Sequence, residues 1–283
     1  MENFYLNASD LYMKYFGGYL GIDMVSFKMD KSICVYGKSM SGKTTLLRCI
    51  AGLEQYDGQI ETNAKDIVFT FDISSLKKFK SVKQNIAYPL IIRNETNIDG
   101  KVLSIAKAFA IEDLLDKSIS DLTISQKKLV VLARAFIRDA DLYLLDDPLN
   151  GVENREKYFK VILDLIKDKT VIYTTSELKE AKCFDRIMLM AYKKCIGIGT
   201  IEELSSCPKT IDVMKLLYNY EYENLILNVK DDKYFVEING ITYSVPNPIS
   251  DVYVGKEVVF LKDKKEILDM YFDKSTEYLI SMR

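Results

Sequence analysis

Residues 37–44 read Gly-Lys-Ser-Met-Ser-Gly-Lys-Thr, which matches the phosphate-loop pattern G-x-x-x-x-G-K-[ST] without deviation. The two glycines allow a tight turn that aims backbone N–H groups at phosphate oxygens. Lys43 brings a positive charge to the β- and γ-phosphates, and the Thr44 hydroxyl can ligate Mg²⁺. The residues expected to bind the phosphates are Gly37, Lys38, Ser39, Met40, Ser41, Gly42, Lys43, Thr44 and Thr45.

The segments on either side of this loop have the periodicity of a strand and a helix. The apolar run Ser32–Tyr36 predicts a strand buried on both faces. A helical stripe follows, which Gly52 and a turn at Asp57-Gly58 are expected to close; its apolar residues are Leu46, Leu47, Ile50 and Leu53. An ordinary glycine turn before a helix is the competing interpretation, and these flanks make it the weaker one.

Further along the chain, short strand-like runs alternate with helix-like segments. The strand-like runs are Ile67–Phe71, Leu142–Leu145, Val171–Thr174 and Arg186–Met190. The helix-like segments between and after them are Gly100–Ala110, Gln126–Arg138, Glu153–Lys167 and Glu177–Cys183. This alternation predicts an α/β fold with a mostly parallel sheet.

The pattern changes after about Leu217, where short β-like runs are divided by turn residues. These runs are Leu225–Val229, Tyr234–Ile238, Ile241–Val245 and Val258–Leu261. Asn239-Gly240, between two of them, predicts a two-residue hairpin. We therefore expect a first domain over residues 1–217 and a small β-rich domain over 218–283.

Composition excludes several classes of function. The chain contains no histidine, so catalytic pairs and metal sites that need His cannot form. The 39 Lys and Arg residues nearly balance the 41 Asp and Glu residues, which argues against a nucleic-acid partner. Five scattered cysteines without a C-x-x-C pair predict free thiols rather than disulfides or zinc.

The N-terminal residues do not resemble a signal peptide, because no apolar stretch follows a basic start. The longest apolar run, Leu129–Ile137, is interrupted by Arg134 and falls well short of the roughly 20 residues needed to span a bilayer. The sequence therefore predicts a soluble, cytoplasmic chain.

A resemblance to a known family covers about residues 4–205. The stretches that carry it are GKSMSGKTTLLRCIAGLE, SVKQNIAYPL, LARAF, LYLLDDPLNGVE, VIYTT and GTIEEL. In order and spacing they resemble the ATPases of ABC transporters, specifically the maltose-type importer group with an appended OB/TOBE-like domain. The resemblance implies a P-loop ABC ATPase domain with a helical subdomain at about 88–138, and it implies ATP and Mg²⁺ as cofactors.

Several positions retain the residue type of that family. Phe16, with Tyr15 as the alternative, falls where an aromatic ring stacks on adenine, although either ring could be plain core. Asp146 ends an apolar strand at the position that holds Mg²⁺ together with Thr44. A buried strand with an acidic turn would be the alternative interpretation. Leu149–Glu153 occupies the loop that crosses the dimer interface, with Glu153 in place of the usual Asp.

The positions that carry hydrolysis in the family differ here. Asp147 stands where a Glu polarises the attacking water, and the shorter side chain withdraws the carboxylate by more than an ångström, which can cost about 10²-fold in rate. Ser176 replaces a histidine that contacts the γ-phosphate, a loss of about 10²–10³-fold. Asp72 replaces a glutamine that senses Mg²⁺ and water; Asp can itself ligate the metal.

The signature segment, Leu-Ser-Gly-Gly-Gln in the family, contacts the ATP that the opposite subunit holds. This chain has Thr123, Ile124, Ser125 and Gln126 there. Ile124 places a branched side chain where glycine permits close approach. An N-capped helix with Thr123 or Ser125 as the cap is the simpler interpretation of the segment.

From this resemblance we expect an ATP-binding importer subunit that hydrolyses ATP slowly. Neutral drift in an active ATPase, or a regulatory or scaffold protein that binds ATP, are the alternatives. Expected partners are a second ABC ATPase subunit, identical or paralogous, and transmembrane permease subunits that hold the chain at the inner face of the cell membrane. The permease would contact about Phe71–Ile92, with Tyr88 and Leu90 as candidate residues; core positions for both are the equal alternative. The transported solute stays open.

Overall fold

The computed structural model describes residues 4–206 continuously, and beyond them residues 213, 216–217, 222–226, 228–230, 233–238, 241–245, 257–261, 266–273 and 278–281. The chain divides into two compact units, Met1–Cys195 and Ile196–Arg283. The domain boundary after residue 217 stays a prediction.

The strands of the first unit are β1 (Leu6–Lys14), β2 (Leu20–Met29), β3 (Ile33–Tyr36), β4 (Asp57–Thr62), β5 (Ile67–Phe69), β6 (Leu142–Leu145), β7 (Val171–Thr175) and β8 (Ile187–Ala191). Its helices are α1 (Lys43–Ile50), α2 (Val82–Ile91), α3 (Ile98–Ala108), α4 (Ile124–Phe136), α5 (Arg155–Ile166) and α6 (Leu178–Ala181). Short 3₁₀ turns lie at Ile73–Ser75, Glu112–Leu114 and Ile119–Asp121. The division between the units falls within β9 (Lys194–Gly199).

A parallel sheet forms the centre of the first unit, in the order β5-β6-β7-β3-β8. Every residue of β3, β6 and β7 is buried, because helices cover both faces of such a sheet. This confirms the α/β fold class that the apolar runs predicted. The carboxyl ends of these strands meet at one edge, where the phosphate loop follows β3.

A second sheet, antiparallel with the order β2-β1-β4, was not predicted from the sequence. It also corrects the interpretation of Asp57-Gly58, which begins β4 rather than forming a turn. Gly58 adopts φ 101°, and a Cβ there would lie 2.5 Å from the Ser9 carbonyl oxygen. Glycine therefore permits a close approach between strands at the point where Asp10 interrupts the β1 register.

The helix after the phosphate loop confirms most of its predicted stripe. Leu46, Leu47 and Ile50 are buried along α1, and Gly52 ends the helix with φ 68°. Leu53 does not belong to the stripe, because it lies beyond the helix end and is exposed.

Helices α2, α3 and α4 pack against one another. α2 begins at Ser81, whose side chain forms a reciprocal capping box with Gln84. Stacked rings connect α4 to the central sheet: Phe136 lies 5.5 Å from Tyr143 of β6, centroid to centroid. Leu90 is fully buried in α2, which corrects its assignment as a candidate permease contact.

The second unit contains α7 (Ile201–Ser206), followed by β10 (Tyr222–Ile226), β11 (Asn228–Lys230), β12 (Lys233–Ile238), β13 (Ile241–Val245), β14 (Glu257–Leu261), β15 (Glu266–Asp273) and β16 (Tyr278–Ser281). These strands form two antiparallel sheets, β10-β14-β15-β16 and β11-β12-β13. Ile238 pairs with Ile241, which confirms the hairpin predicted from Asn239-Gly240. The turn residues themselves lie outside the described residues.

Among the described residues, no helix has both the length and the apolar character to cross a bilayer. Within the same described part of the chain, Cys34, Cys49, Cys183 and Cys195 form no disulfide, and Cys207 lies outside the described residues.

Candidate nucleotide-binding site

The phosphate loop runs from the end of β3 to the start of α1, and its two glycines occupy crowded positions. A Cβ on Gly37 would lie 2.3 Å from the Met190 carbonyl oxygen of β8. Gly42 adopts φ 105°, and a Cβ there would lie 2.9 Å from the carbonyl oxygen of Gly21. Side chains at these two positions would force the loop away from the sheet edge, so the sequence pattern is a steric requirement.

Lys43, the first residue of α1, folds back over the loop. Its buried ammonium donates to the carbonyl oxygens of Gly37, at 2.7 Å, and Lys38, at 2.9 Å. Burial lowers the pKa of Lys43, and the carboxylates of Asp147 and Asp146 oppose that shift. A compact positive charge therefore lies inside the loop, held by two loop carbonyls and, at 3.5 Å, by the Ser41 hydroxyl.

Hydroxyl groups hold Asp146 at the end of β6. Thr44 Oγ1 and Thr174 Oγ1 each donate to Asp146 Oδ1 at 3.1 Å, and the Asp146 N–H donates to Thr70 Oγ1 at 2.8 Å. Burial raises the pKa of Asp146, and the hydrogen bonds from Thr44 and Thr174 oppose the increase.

A hydroxyl and a carboxylate side by side fit Mg²⁺, which binds few protein ligands beside phosphate and water. Thr44 and Asp146 are brought together as predicted. Across the described part of the chain, no cluster of three or more Cys, Asp or Glu side chains could hold a metal by itself. The site therefore suits a metal that arrives with phosphate ligands.

Asp147 has a left-handed backbone, with φ 38°, and its N–H donates to Thr174 Oγ1 at 2.8 Å. Its Oδ1 atom is buried without a hydrogen-bond partner and lies 3.6 Å from Arg155 Nη2. Burial raises the pKa of Asp147, while the charges of Arg155 and Lys43 lower it. This carboxylate is thus drawn toward Arg155 and retains an unfilled acceptor.

Arg155 is in turn held by Glu180, a buried carboxylate of α6. The guanidinium donates to both Glu180 oxygens, at 2.6 and 2.9 Å. Thr175 and Tyr173 of β7 donate their hydroxyls to Glu180 Oε2, at 2.7 and 3.0 Å. The buried charge is therefore both paired and hydrogen-bonded, which is the condition for a buried ion to be tolerated.

Among the described residues, no hydrogen bond joins Asp72 or Ser176 to this cluster. Asp72 Oδ1 accepts the N–H of Ser74 at 3.0 Å and so caps its own turn. That backbone hydrogen bond lowers the pKa of Asp72. Ser176 is exposed, one residue beyond β7. Neither side chain contacts Thr44 or Asp146, so a shared metal site with Asp72 stays a prediction.

The signature segment forms a helix N-terminus. Thr123 Oγ1 accepts the Gln126 N–H at 3.2 Å, and Gln126 Oε1 accepts the Thr123 N–H at 3.0 Å. Thr123 is therefore the cap of α4, one of the two caps that the sequence allowed. Ser125 Oγ accepts the N–H of Glu153 at 3.0 Å, while Ile124 projects outward and is 63% exposed.

The aromatic candidates for adenine lie between β1 and β2. Phe16 is fully exposed, so its ring is not core. The Tyr15 hydroxyl lies 2.9 Å from Thr45 Oγ1, which brings that ring against the phosphate-loop helix. Both rings stay candidates: Phe16 offers a free face, and Tyr15 is the one in contact with α1.

A protein family described as ABC transporter matches residues 22–150. The chain is also 31% identical to the molybdate/tungstate import ATP-binding protein WtpC of Methanocaldococcus jannaschii, over 76% of this chain and 84% of that protein. The chain belongs to the ABC transporter family.

Other members are similar at comparable levels. The sulfate/thiosulfate import ATP-binding protein CysA 2 of Shewanella oneidensis is 30% identical over 73% of this ABC chain, which spans 65% of that relative. The oligosaccharides import ATP-binding protein MsmX of Bacillus subtilis is 26% identical over 89% of this chain and 77% of that protein. The structure of cbiO1 from Clostridium perfringens superimposes with a TM-score of 0.61 at 21% identity, over 72% of this chain and 92% of that one, and shows the same fold.

A groove of about 420 Å³ lies in this ABC chain between β5, α2 and α4. Phe71, Tyr88 and Ile92 line it and are partly exposed. Arg134 lies along its wall and donates to the Ser75 carbonyl at 3.1 Å. Tyr88, one of the residues predicted at a partner surface, thus faces a groove.

Sequence reasoning missed four residues that hold the carboxylates of this cluster through hydrogen bonds or ion pairs: Thr70, Thr174, Arg155 and Glu180. Thr70 and Thr174 could have been found, because both lie at the carboxyl ends of predicted strands, where parallel sheets gather their functional groups. The others carry no pattern, since their partners are many residues away in sequence.

Proposed function

We propose that this chain is the ATP-binding subunit of an ABC importer, which couples ATP binding to solute transport and hydrolyses ATP slowly by itself. One observation carries the proposal: the phosphate loop is complete, with Lys43 folded into it and Thr44 joined to Asp146, while the neighbouring hydrolytic positions carry altered residues.

Binding is supported by the sign and placement of charge. The buried ammonium of Lys43 is held by two loop carbonyls and, at 3.5 Å, by the Ser41 hydroxyl; all three are uncharged acceptors, so phosphate oxygens can replace them with a gain in charge. The N-terminus of α1 presents N–H groups to the same anion. Mg²⁺, when bound, would neutralise phosphate charge between Thr44 and Asp146.

Slow hydrolysis is supported by the engagement of the altered side chains. Asp147 is shorter than Glu and lies beside Arg155, and Ser176 provides no cation. Asp72 is committed to its own turn, and the side chain of Gln126 is committed to the cap of α4. The groups that would orient water are thus shortened or occupied, and misplacement of about 1 Å can cost about 10²-fold.

The proposed partners follow from the family and from exposed surfaces. A second ATPase subunit, of the same or a paralogous chain, would place its signature segment on this phosphate loop. A permease would dock its cytoplasmic segment in the groove lined by Phe71, Tyr88 and Ile92, which holds the chain at the inner face of the membrane. The named relatives import oxyanions or oligosaccharides, so the solute class is left open.

Calorimetry with Mg-ATP and a phosphate-release assay on the purified chain test this proposal. We expect micromolar-range binding and a turnover about a hundredfold below the roughly 10 s⁻¹ median of enzymes. Failure to bind Mg-ATP would refute the nucleotide-binding role, and rapid turnover by the isolated chain would refute weakened hydrolysis.

Affinity purification from membranes separates transport from an ATP-dependent regulatory or scaffold role. An importer subunit should be recovered with integral-membrane permeases, and Tyr88→Glu should reduce that recovery because it places a charge in the groove. Glu112→Ala, in a 3₁₀ turn outside that groove, is the matched control. Recovery without any permease would favour the scaffold alternative.

A further inference from the structure

The turn after β8 consists of Tyr192 and Lys193, both in the left-handed region with φ 48° and 70°. Lys193 makes three hydrogen bonds that join this turn to the phosphate loop and to β2. Its N–H donates to the Ser41 carbonyl at 3.1 Å, its carbonyl accepts the Asp23 N–H at 2.9 Å, and its ammonium donates to the Met40 carbonyl.

The first and last of these bonds fix two successive peptide planes of the loop. In a trans peptide, the carbonyl and the N–H of the following residue point in opposite directions. Lys193 binds the carbonyls of Met40 and Ser41, and therefore directs the N–H groups of Ser41 and Gly42 away from itself. The Ser41 N–H donates to the Lys38 carbonyl at 3.3 Å within the loop, so the Gly42 N–H is the donor offered to a ligand. Successive N–H groups on one side of a loop form the concavity that receives phosphate oxygens.

The side chain of Met40 does not account for its backbone conformation. Its φ of 63° is unfavourable for a residue with a side chain, and the side chain is 83% exposed rather than packed. Because the side chain holds nothing in place, the bond from Lys193 to the Met40 carbonyl stabilises this left-handed residue.

We propose that Lys193 is a positioning residue for triphosphate binding, which holds the Met40–Ser41–Gly42 peptides so that the Gly42 N–H faces the ligand. This inference rests on the proposed nucleotide-binding function and assigns a residue outside the phosphate-loop pattern to it. The influence of Lys193 on the pKa of Lys43, which it lowers, places the two ammonium groups in the same neighbourhood.

Titration calorimetry with Mg-ATP on the full chain tests the proposal. Lys193→Met removes the ammonium and keeps most of the stem, and should weaken binding about tenfold, as expected for one charge-assisted hydrogen bond. Lys193→Arg retains a donor and should stay within about threefold of the original protein.

Lys194→Met is the matched control, because it removes the same charge from the adjacent position. The Lys194 ammonium pairs with the Asp23 carboxylate at 3.3 Å rather than with a loop carbonyl. We expect binding to change less than about twofold. Repeating the measurements in high salt should leave the ratio between Lys193→Met and wild type unchanged, because positioning is not screened as a long-range charge is.

The outcomes separate this inference from the proposed function. If the wild-type chain does not bind Mg-ATP, the function itself fails. If it binds, and Lys193→Met matches Lys194→Met, the positioning role is wrong. A salt-dependent difference would assign Lys193 a direct charge effect instead, and a melting temperature lowered by several degrees in the nucleotide-free Lys193→Met variant would assign it a structural role; both results overturn the proposal.

Discussion

The phosphate loop and the hydrolytic positions lie at the same edge of the parallel sheet, but their side chains are engaged in different ways. Lys43 donates to loop carbonyls and Thr44 to the Asp146 carboxylate, and on the proposed function these partners would exchange for phosphate or Mg²⁺. Asp72 and Gln126 are instead satisfied within their own turns. On the proposed function, nucleotide affinity and ATP turnover would therefore depend on separate sets of contacts and could change independently.

The largest effect is expected from restoring the family residues at the hydrolytic positions. Asp147→Glu with Ser176→His should raise ATP turnover about 10²–10³-fold. The first change lengthens the carboxylate side chain, and the second restores a hydrogen-bond donor to the transition state. Phosphate release under saturating Mg-ATP measures the turnover. The gain should exceed that of either single change, since such groups act as a unit. An unchanged rate with intact binding would show that other groups limit hydrolysis.

Removing the loop cation should have the next largest effect. Lys43→Met deletes a buried ammonium that meets the phosphates directly, and we expect Mg-ATP affinity to fall about a hundredfold. Equilibrium titration with a fluorescent nucleotide measures the change. Lys31→Met, an exposed lysine just before β3, serves as the control and should bind normally. Comparable losses in both variants would mean that net charge, not the loop, sets affinity.

The ion pair between Arg155 and Glu180, next to Asp147, is expected to contribute to the stability of the fold. Arg155→Met should lower the free energy of unfolding by about 2 kcal/mol, because Glu180 is left buried and unpaired. Urea denaturation without nucleotide measures the loss. Adding Glu180→Gln removes the buried charge that Arg155→Met leaves without a partner ion, and should recover part of the lost free energy of unfolding. A single variant as stable as the original chain would mean that Glu180 takes up a proton or reaches water.

The smallest effect is expected at the signature helix. Thr123→Ala should destabilise the chain by about 1 kcal/mol through loss of the cap on α4, whereas Thr123→Ser keeps the hydroxyl and should be nearly neutral. Chemical denaturation of both variants tests this difference. Equal stabilities would indicate that water replaces the threonine hydroxyl at this exposed helix end.

The central sheet could be predicted because its strands are continuous apolar runs, buried on both faces. The antiparallel sheet could not. Asp10, with φ 52°, interrupts the two-residue alternation of β1. Its partner β4 is short, polar and mostly exposed, so it carries no hydrophobic signal.

The site divides in the same way. Gly37–Thr44 could be predicted because it is a contiguous motif. Asp146 could be predicted because it ends an apolar strand-like run. The role of Arg155 could not, since it follows from a bond to Glu180 and a 3.6 Å approach to Asp147 that only the folded chain creates. Lys193 likewise reaches the loop from a turn more than 150 residues away.

The bond between the Ser125 hydroxyl and the Glu153 N–H has a consequence for any attempt to rebuild the family's signature. Replacing Ser125 by glycine would restore that motif position but would also remove the hydroxyl that accepts the Glu153 N–H. This hydrogen bond couples the start of α4 to the loop after β6. A variant with the family's signature would therefore need compensating substitutions both at the start of α4 and in the loop that contains Glu153.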